Sequence, residues 1–590
     1  MVEQQQVRSL TSQVEDAVTE AMRGVLPADV TEVDPLIRRS EHADLQSNAA
    51  LSLAKRLKRN PRELAEEIRE RLAEVPWLTA EVSGPGFLNL TVDGGRLVEN
   101  LGARAEDPRL GVPLTQSGQV IPVDYSAPNV AKEMHVGHLR STLIGDALAR
   151  VLGYLGAEVI RQNHVGDWGT QFGMLIQYIV EHPDQRWHND EVDTDRTGGA
   201  VSALDSLYRT ARRTFDEDPE FKVRAQQRVV ELQAGDEATL ATWREIVTES
   251  EKAFQEVYAR LGVLLELDDV AAESFYNPRL QGVVDELREL GVVQESEGAW
   301  CVFFDDLKGP DGTPSPLIVQ KADGGFGYAA TDLAAVRYRV QELAATRVLY
   351  VVDARQAQHF DMVFRTARRA GWLTDDIEVV HVQTGTINGP DGRPFKTRAG
   401  GTVRLADLLD EALRQAERVV REKDPELPDE ELRRVAHTAS IGAVKYAELS
   451  TARTKNYNFD VEQMVSFNGD TGVYLQYTHT RIASILRRAQ DSPAAFDTSA
   501  ELEPAERLLA WELDSFAEAL DAVSGTLEPH RLAGYLYSLA RAYTSFYEAC
   551  PVLGAPTPEV RANRLALSSL ARTTLATGLG LLGITAPDRM

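Results

Sequence analysis

Residues 120–165 read VIPVDYSAPNVAKEMHVGHLRSTLIGDALARVLGYLGAEVIRQNHV, and their apolar pattern changes period twice. VIPVDY (120–125) is a short apolar run with the composition of a buried strand. Leu139, Leu143, Ile144, Leu148, Val151, Leu152 and Leu155 then form the stripe of an amphipathic helix, and Gly156 supplies a stop. AEVIRQNHV (157–165) returns to strand composition. Two strands joined by a helical crossover run parallel. The pattern recurs in RVLYVVDAR (347–355), HFDMVFRTARRAGW (359–372) and IEVVHVQTG (377–385). Two such units predict a doubly wound, Rossmann-type parallel sheet in an α/β core, with a ligand crevice beyond the C-terminal strand ends.

Outward from this core the chain changes character. At roughly 100–200 residues per domain, its 590 residues require several domains. Residues 1–110 combine helical segments, including PRELAEEIRERLAEV with Pro61 in a first turn, with the strand-like VSGPGFLNLTV around Gly84-Pro85-Gly86, an α+β module. The Pro- and Gly-rich AEDPRLGVPLTQSGQ marks a boundary, and residues 116–430 are read as the α/β core domain. Within it, residues 179–260 are polar and helical, an insertion between the two halves. Residues 436–590 are helical to the end, a separate α-helical bundle rich in aromatics.

A chain with 43% hydrophobic and 26% charged residues is neither collagen-like nor wholly disordered. No run of about 18 uncharged apolar residues is present to span a membrane. Two cysteines, Cys301 and Cys550, are too few for a disulfide framework, and the N-terminus lacks an apolar secretion segment, so a cytoplasmic location is expected. The net charge of −27 does not exclude an RNA partner, because phosphate binding depends on local clusters. Three are present: Lys55, Arg56, Lys58, Arg59 and Arg62; Arg365, Arg368 and Arg369; Arg481, Arg487 and Arg488.

The loop SAPNVAKEMHVGH (126–138) joins the first strand to its helix, where backbone amides and the helix dipole favour anions. It presents His135 and His138 on either side of Gly137, which leaves room for a nucleotide. Two imidazoles at this spacing can donate to phosphate oxygens as charge builds during nucleotidyl transfer. A zinc site is the competing idea, but no third ligand accompanies the pair, and no protein-held metal is expected. Incidental histidines at a helix cap are the bland alternative.

The whole run VDYSAPNVAKEMHVGHLRSTLIGDALARVLGYLGAEVIRQNHVGDWGTQFG resembles the signature region of the arginyl-tRNA synthetases, a class I aminoacyl-tRNA synthetase family. GYAATDLAAVRYR, VVDARQAQHF, DGRPFKTRAGGTVRLADLL, TGVYLQYTHTRI and LGLLGITAPDRM follow in the family's order, so the resemblance covers essentially the whole chain. It implies an arginine–tRNA ligase. ATP would be held by Ser126, Pro128, Asn129, Lys132, His135, Gly137 and His138, and the substrate guanidinium read by Asp124, Asn129, Tyr328, Asp332 and Gln356. The chemistry agrees at Asp332, since a carboxylate can pair bidentately with a guanidinium and Tyr328 stands one turn earlier. His164, Asp167, Trp168 and Gln171 would line the same crevice.

The family's second ATP loop corresponds to Phe395-Lys396-Thr397-Arg398, without the paired lysines of other class I enzymes. The resemblance implies that Lys132 supplies the missing charge, with Lys396 and Arg398 as further phosphate contacts. It also implies ATP and Mg²⁺, L-arginine, activation that needs bound tRNA, and transfer to the 2′-hydroxyl of the terminal adenosine of tRNA-Arg. Residues 1–110 would touch the tRNA through Gln46 and Asn48, and residues 436–590 would bind the anticodon with Arg481, Tyr547 and Met590 as candidate contacts. A monomer is expected. Two rivals stand beside this reading: a small-molecule adenylyltransferase using an HxGH loop, which needs no helical C-terminal domain, and a tRNA-binding protein without catalysis.

Overall fold

The computed structural model describes residues 7–27, 30, 32–185, 187, 199–308, 315–389, 392, 403–489 and 495–590. It opens with α1 (Leu10–Arg23), capped by the Ser9 hydroxyl, which accepts from the Ser12 amide. β1 (Ile37–Arg39), β2 (Leu45–Ser47), α2 (Ala49–Leu57), α3 (Pro61–Leu72), β3 (Leu78–Ser83), β4 (Phe87–Val92) and α4 (Gly94–Glu106) follow. The four strands make an antiparallel sheet in the order β1-β2-β4-β3. Pro61 begins α3, where its missing amide costs no hydrogen bond, and Asn60 caps the turn.

The core contains β5 (Val120–Asp124), α5 (Val136–Tyr154), β6 (Glu158–Gln162) and α6 (Thr170–Glu181). The polar excursion contains, among its described residues, α7 (Gly199–Glu217), α8 (Pro219–Ala234) and α9 (Glu237–Leu261). Next come α10 (Glu273–Glu289), a small antiparallel sheet of β7 (Gln294–Ser296), β8 (Ala299–Val302) and β9 (Leu317–Gln320), then α11 (Tyr328–Gln341). β10 (Arg347–Asp353), α12 (Ala357–Arg369), β11 (Glu378–Thr384) and β12 (Ile387–Asn388) complete the second half.

The strands β11-β10-β5-β6 lie in that order and all run parallel, so the two halves meet where β10 abuts β5. Both faces of this sheet are covered, as parallel sheets require. On β10, Leu349 and Val351 join one core with Ile121, Val123 and Leu148, whereas Val348 and Tyr350 join another with Leu333 and Val363.

α13 (Leu405–Lys423) and α14 (Asp429–Ser450) lead to β13 (Tyr457–Asn458), which pairs with β12. α15 (Val461–Met464), α16 (Gly472–Ala489), α17 (Pro504–Asp514), α18 (Phe516–Thr526), α19 (His530–Ala549) and α20 (Pro558–Leu581) finish the chain. The N-terminal module rests on this bundle through buried charge. Asp514 accepts from the Leu10 amide (2.7 Å), Asn100 Nδ2 (2.7 Å) and Arg104 Nε (2.9 Å). Asp44 accepts from Arg507 Nε (2.8 Å) and Trp511 Nε1 (2.9 Å). Among the described residues, no helix is long and apolar enough to cross a membrane.

Candidate functional site

The turn from β5 into α5 uses backbone that side-chain-bearing residues rarely adopt: Ser126, Ala127 and Ala131 have φ of 76°, 49° and 61°. Such conformations persist where the surroundings over-determine them. Ser126 Oγ lies 2.7 Å from the Tyr258 hydroxyl and accepts from Thr142 Oγ1 (2.9 Å), while the Ala127 amide donates to Asn163 Oδ1 (3.0 Å) and the Ala131 amide to Ser250 Oγ (3.1 Å). Tyr258 and Ser250 belong to α9, so the helical insertion holds this loop in shape. The Pro128 carbonyl accepts from the Gly166 amide (3.0 Å), and Asn129 is exposed beside it.

His135 precedes α5 and caps it. Its Nδ1 accepts from the Gly137 amide at 3.0 Å, and His138 Nδ1 accepts from the His135 amide at 3.1 Å. The two rings stack with centroids 4.0 Å apart. Capping and phosphate binding are therefore compatible. A neutral imidazole that accepts through Nδ1 carries its proton on Nε2, leaving that nitrogen as a donor. Burial favours the neutral form of both rings: it lowers the His138 pKa to about 3, helped by His135, and lowers that of His135, helped by Arg355 and Lys132. Lys132 Nζ stands 4.8 Å from the Tyr208 ring centre on α7. Lys396 and Arg398 lie outside the described residues.

A group of acids gathers nearby. Tyr328, the first residue of α11, is 74% exposed, and Asp332 follows one turn later with Oδ2 2.6 Å from His359 Nε2. Glu273 begins α10; burial raises its pKa to about 8, and the charges of Asp167 and Asp332 push it the same way. Although the Tyr328 side chain is largely exposed, the protein around it partly desolvates the hydroxyl, and this, then Glu273 and Tyr208, raise its pKa. Burial and Asp167 raise that of Glu251 on α9. Asp167 and Asp332 thus act electrostatically on Glu273, and Glu273 on Tyr328, which also feels Tyr208, the residue whose ring lies against Lys132. Glu273 and His359 were missed in the sequence, because an acid in a helix's first turn is ordinarily explained by the helix dipole.

Other expected site residues are engaged inside the protein. Asp124 is buried and accepts from Arg339 Nη2 at 2.7 Å, so the guanidinium it meets here is the chain's own. Arg339 is itself fully buried and lies 4.6 Å from the Tyr350 ring centre. Asp167 accepts from the Ser274 amide (2.8 Å) and hydroxyl (2.5 Å), holding the start of α10. His164 stacks on Tyr276 at 5.4 Å, with Nδ1 buried and unpartnered. Trp168 packs edge-on against Trp243. Gln356 is exposed in the short turn after β10.

The expected RNA contacts divide similarly. Gln46 is buried on β2, donating to Asn89 Oδ1 (2.8 Å) and accepting from Arg38 Nη2 (2.8 Å). Asn48 occupies the N-cap position of α2 without making the cap bond, and its Oδ1 has no partner. Arg481 lies 5.0 Å from the Tyr477 ring and 5.7 Å from that of Tyr547, which is 42% exposed. Lys423 adds a second cation 3.6 Å from the Phe467 ring. Met590 packs partly buried against the bundle. Tyr535 and Tyr543, by contrast, are core residues whose hydroxyls bond the Glu512 carbonyl and Ser568. Arg365 is neutralised by Asp306 at 2.6 Å and Asp361 at 3.2 Å.

Comparison with known proteins bears on the same regions. The family model "tRNA synthetases class I (R), catalytic domain" matches residues 104–461, "DALR anticodon binding domain" residues 475–590, and "Arginyl tRNA synthetase N terminal domain" residues 9–92. The chain is 61% identical to the arginine–tRNA ligase of Frankia casuarinae, over 99% of this chain and 100% of that one. It is 51% identical to that of Streptomyces avermitilis, with the same coverage. Among solved structures, Plasmodium falciparum arginyl-tRNA synthetase superposes with a TM-score of 0.82 at 28% identity, covering 99% of each chain. The Thermus thermophilus enzyme gives 0.80 at 27%, covering 98% of this chain and 100% of that one.

Proposed function

The chain belongs to the arginyl-tRNA synthetase family and is an arginine–tRNA ligase that consumes ATP; on that premise we propose how its residues divide the reaction. Asp332, Glu273 and Tyr328 bind the substrate guanidinium, a planar fork that pairs with carboxylates. Lys132 and the Nε2–H groups of His135 and His138 hold the phosphates, with Lys396 and Arg398 as further cations. The observation that carries the phosphate assignment is the stacked His135–His138 pair, whose Nδ1 atoms both accept backbone amides at the start of α5 and so leave Nε2 to donate.

The arginine carboxylate attacks the α-phosphorus, the bond to pyrophosphate breaks, and arginyl-adenylate forms. As negative charge builds on the phosphate oxygens, preorganised imidazole donors stabilise it without gaining or losing a proton. The 2′-hydroxyl of the terminal adenosine of tRNA then attacks the activated carbonyl and AMP leaves. The donors on this loop suit phosphate oxygens and not a cation, so Mg²⁺ would be held by the triphosphate itself and would screen its charge.

Residues 1–110 and 436–590 act as RNA-contacting modules of a monomer. Asn48, whose buried Oδ1 has no partner, is the amide assigned to the first module, and the Tyr477–Arg481–Tyr547 group is the stacking surface of the second. ATP–pyrophosphate exchange with each of the twenty amino acids, with and without tRNA, tests the assignment. Arginine-dependent exchange is expected. Its absence even with tRNA bound, or equal exchange with another amino acid, would overturn this assignment of residues.

A further inference from the structure

Arg140 lies two residues beyond His138 on α5 and is 1% exposed. Its Nε stands 2.7 Å from Glu448 Oε1 on α14, Nη1 donates to the Lys455 carbonyl at 2.5 Å, and Nη2 donates to the Ala452 carbonyl at 3.2 Å. Glu448 is fully buried, and its Oε2 accepts from the Tyr457 hydroxyl at 2.8 Å. One guanidinium therefore grips both the end of α14 and the strap that leaves it, residues 451–456.

The other side of that strap holds the stretch from β11 to β12. The Gly385 amide donates to the Arg453 carbonyl (2.7 Å), the Thr386 amide to Asn456 Oδ1 (2.7 Å), and Arg453 Nη1 to the Gln383 carbonyl (3.0 Å). Just beyond, the Phe459 amide donates to the Asn388 carbonyl at 2.9 Å. A Cβ on Gly385 would stand 2.8 Å from the Lys455 carbonyl oxygen, so the two backbones touch. Residues 383–388 lead directly towards Lys396 in sequence. The strap thus connects the helix that carries the histidines to the stem of the second ATP loop.

A buried ion pair is a weak source of stability, because desolvation offsets much of the attraction and apolar packing could join the helices as well. A guanidinium that donates to two backbone carbonyls and lies against a buried carboxylate provides fixed geometry instead. We propose that Arg140 and Glu448 are positioning residues for adenylate formation. They hold His138 in register with residues 383–388 and link both to the helical C-terminal region. This rests on the phosphate-binding role assigned to His138 above.

The test uses full-length Glu448→Gln, Tyr457→Phe and Arg140→Lys. Arginine-dependent ATP–pyrophosphate exchange is measured with tRNA present, alongside thermal unfolding of each variant. At temperatures where the variants are folded, Glu448→Gln and Arg140→Lys should lower kcat about 10- to 100-fold, the cost of misplacing a reacting group by about an ångström. Tyr457→Phe should fall between them and the unmodified enzyme, and KM for arginine should stay within about twofold. If Arg140→Lys does not fold, the other two variants decide. In a His138→Ala background, Glu448→Gln should cost less than about threefold, because residues acting as a unit are not additive. An undiminished kcat in folded Glu448→Gln, or its full cost retained without His138, overturns the proposal. Unchanged exchange in His138→Ala alone would instead overturn the role given to that histidine.

Discussion

Gly137 and His135 share one space: a Cβ on Gly137 would stand 2.8 Å from both Cε1 and Nδ1 of the His135 ring. Glycine there admits the imidazole that caps α5, besides any room it leaves for a nucleotide. Gly137→Ala should displace the ring while adding about 1 kcal/mol of helix propensity. Exchange kcat should drop about 10-fold or more with the thermal midpoint nearly unchanged. Parallel kinetics and thermal unfolding check this, and normal kcat would show that His135 tolerates displacement.

His138 predicts an acid-sensitive fold. Its folded pKa of about 3 lies below the ordinary value of 6.5, so between those pH values the unfolded chain binds more protons than the folded one. Its contribution to stability is therefore intact above 6.5 and lost progressively as pH falls towards 3. His138→Gln removes this titration, so its urea midpoint should decline less between pH 7 and pH 5. Histidine NMR should show His138 neutral at pH 6, and titration near 6.5 would contradict the burial argument.

Glu273 carries the opposite sign. Its pKa, raised to about 8 by burial and by Asp167 and Asp332, leaves it protonated at neutral pH before arginine arrives. A guanidinium favours the ionised form, so binding should release a proton below about 8 and KM for arginine should fall as pH rises towards that value. The raised acid binds more protons folded than unfolded, so its stabilising effect is full below the usual carboxyl range and lost as pH passes 8. Glu273→Gln should abolish both trends. Calorimetry in buffers of different ionisation enthalpy measures the proton released.

The strand–helix–strand units were legible because apolar period distinguishes a strand from a helix over twenty residues, and the HxGH loop because its residue types sit at a strand–helix junction. Contacts between distant segments leave no such trace. Nothing local in DLQSNAALSL marks Gln46 as tied to Arg38 and Asn89. Asp124 ends a strand where a ligand group is expected, and only the folded α11 shows Arg339 waiting for it. Glu273 was hidden by the ordinariness of an acid at a helix start, since its neighbours Asp167 and Asp332 are far away in sequence.

The same blindness covered the joint between the chain's ends, which makes the last prediction. Arg104 and Asp514 are 410 positions apart, 1% and fully buried, and bonded at 2.9 Å. Asp514→Ala leaves a buried guanidinium, the Asn100 amide and the Leu10 amide without their acceptor, a change that costs about 3–5 kcal/mol for a broken buried pair. Because those donors sit on α1 and α4, the loss should loosen the N-terminal module first, with faster amide exchange at Leu10 and through α1. The crevice residues take no part in this contact. Exchange kcat at saturating tRNA should therefore hold while KM for tRNA rises, and an equal fall in kcat would show that the docking of the two ends also shapes the catalytic site.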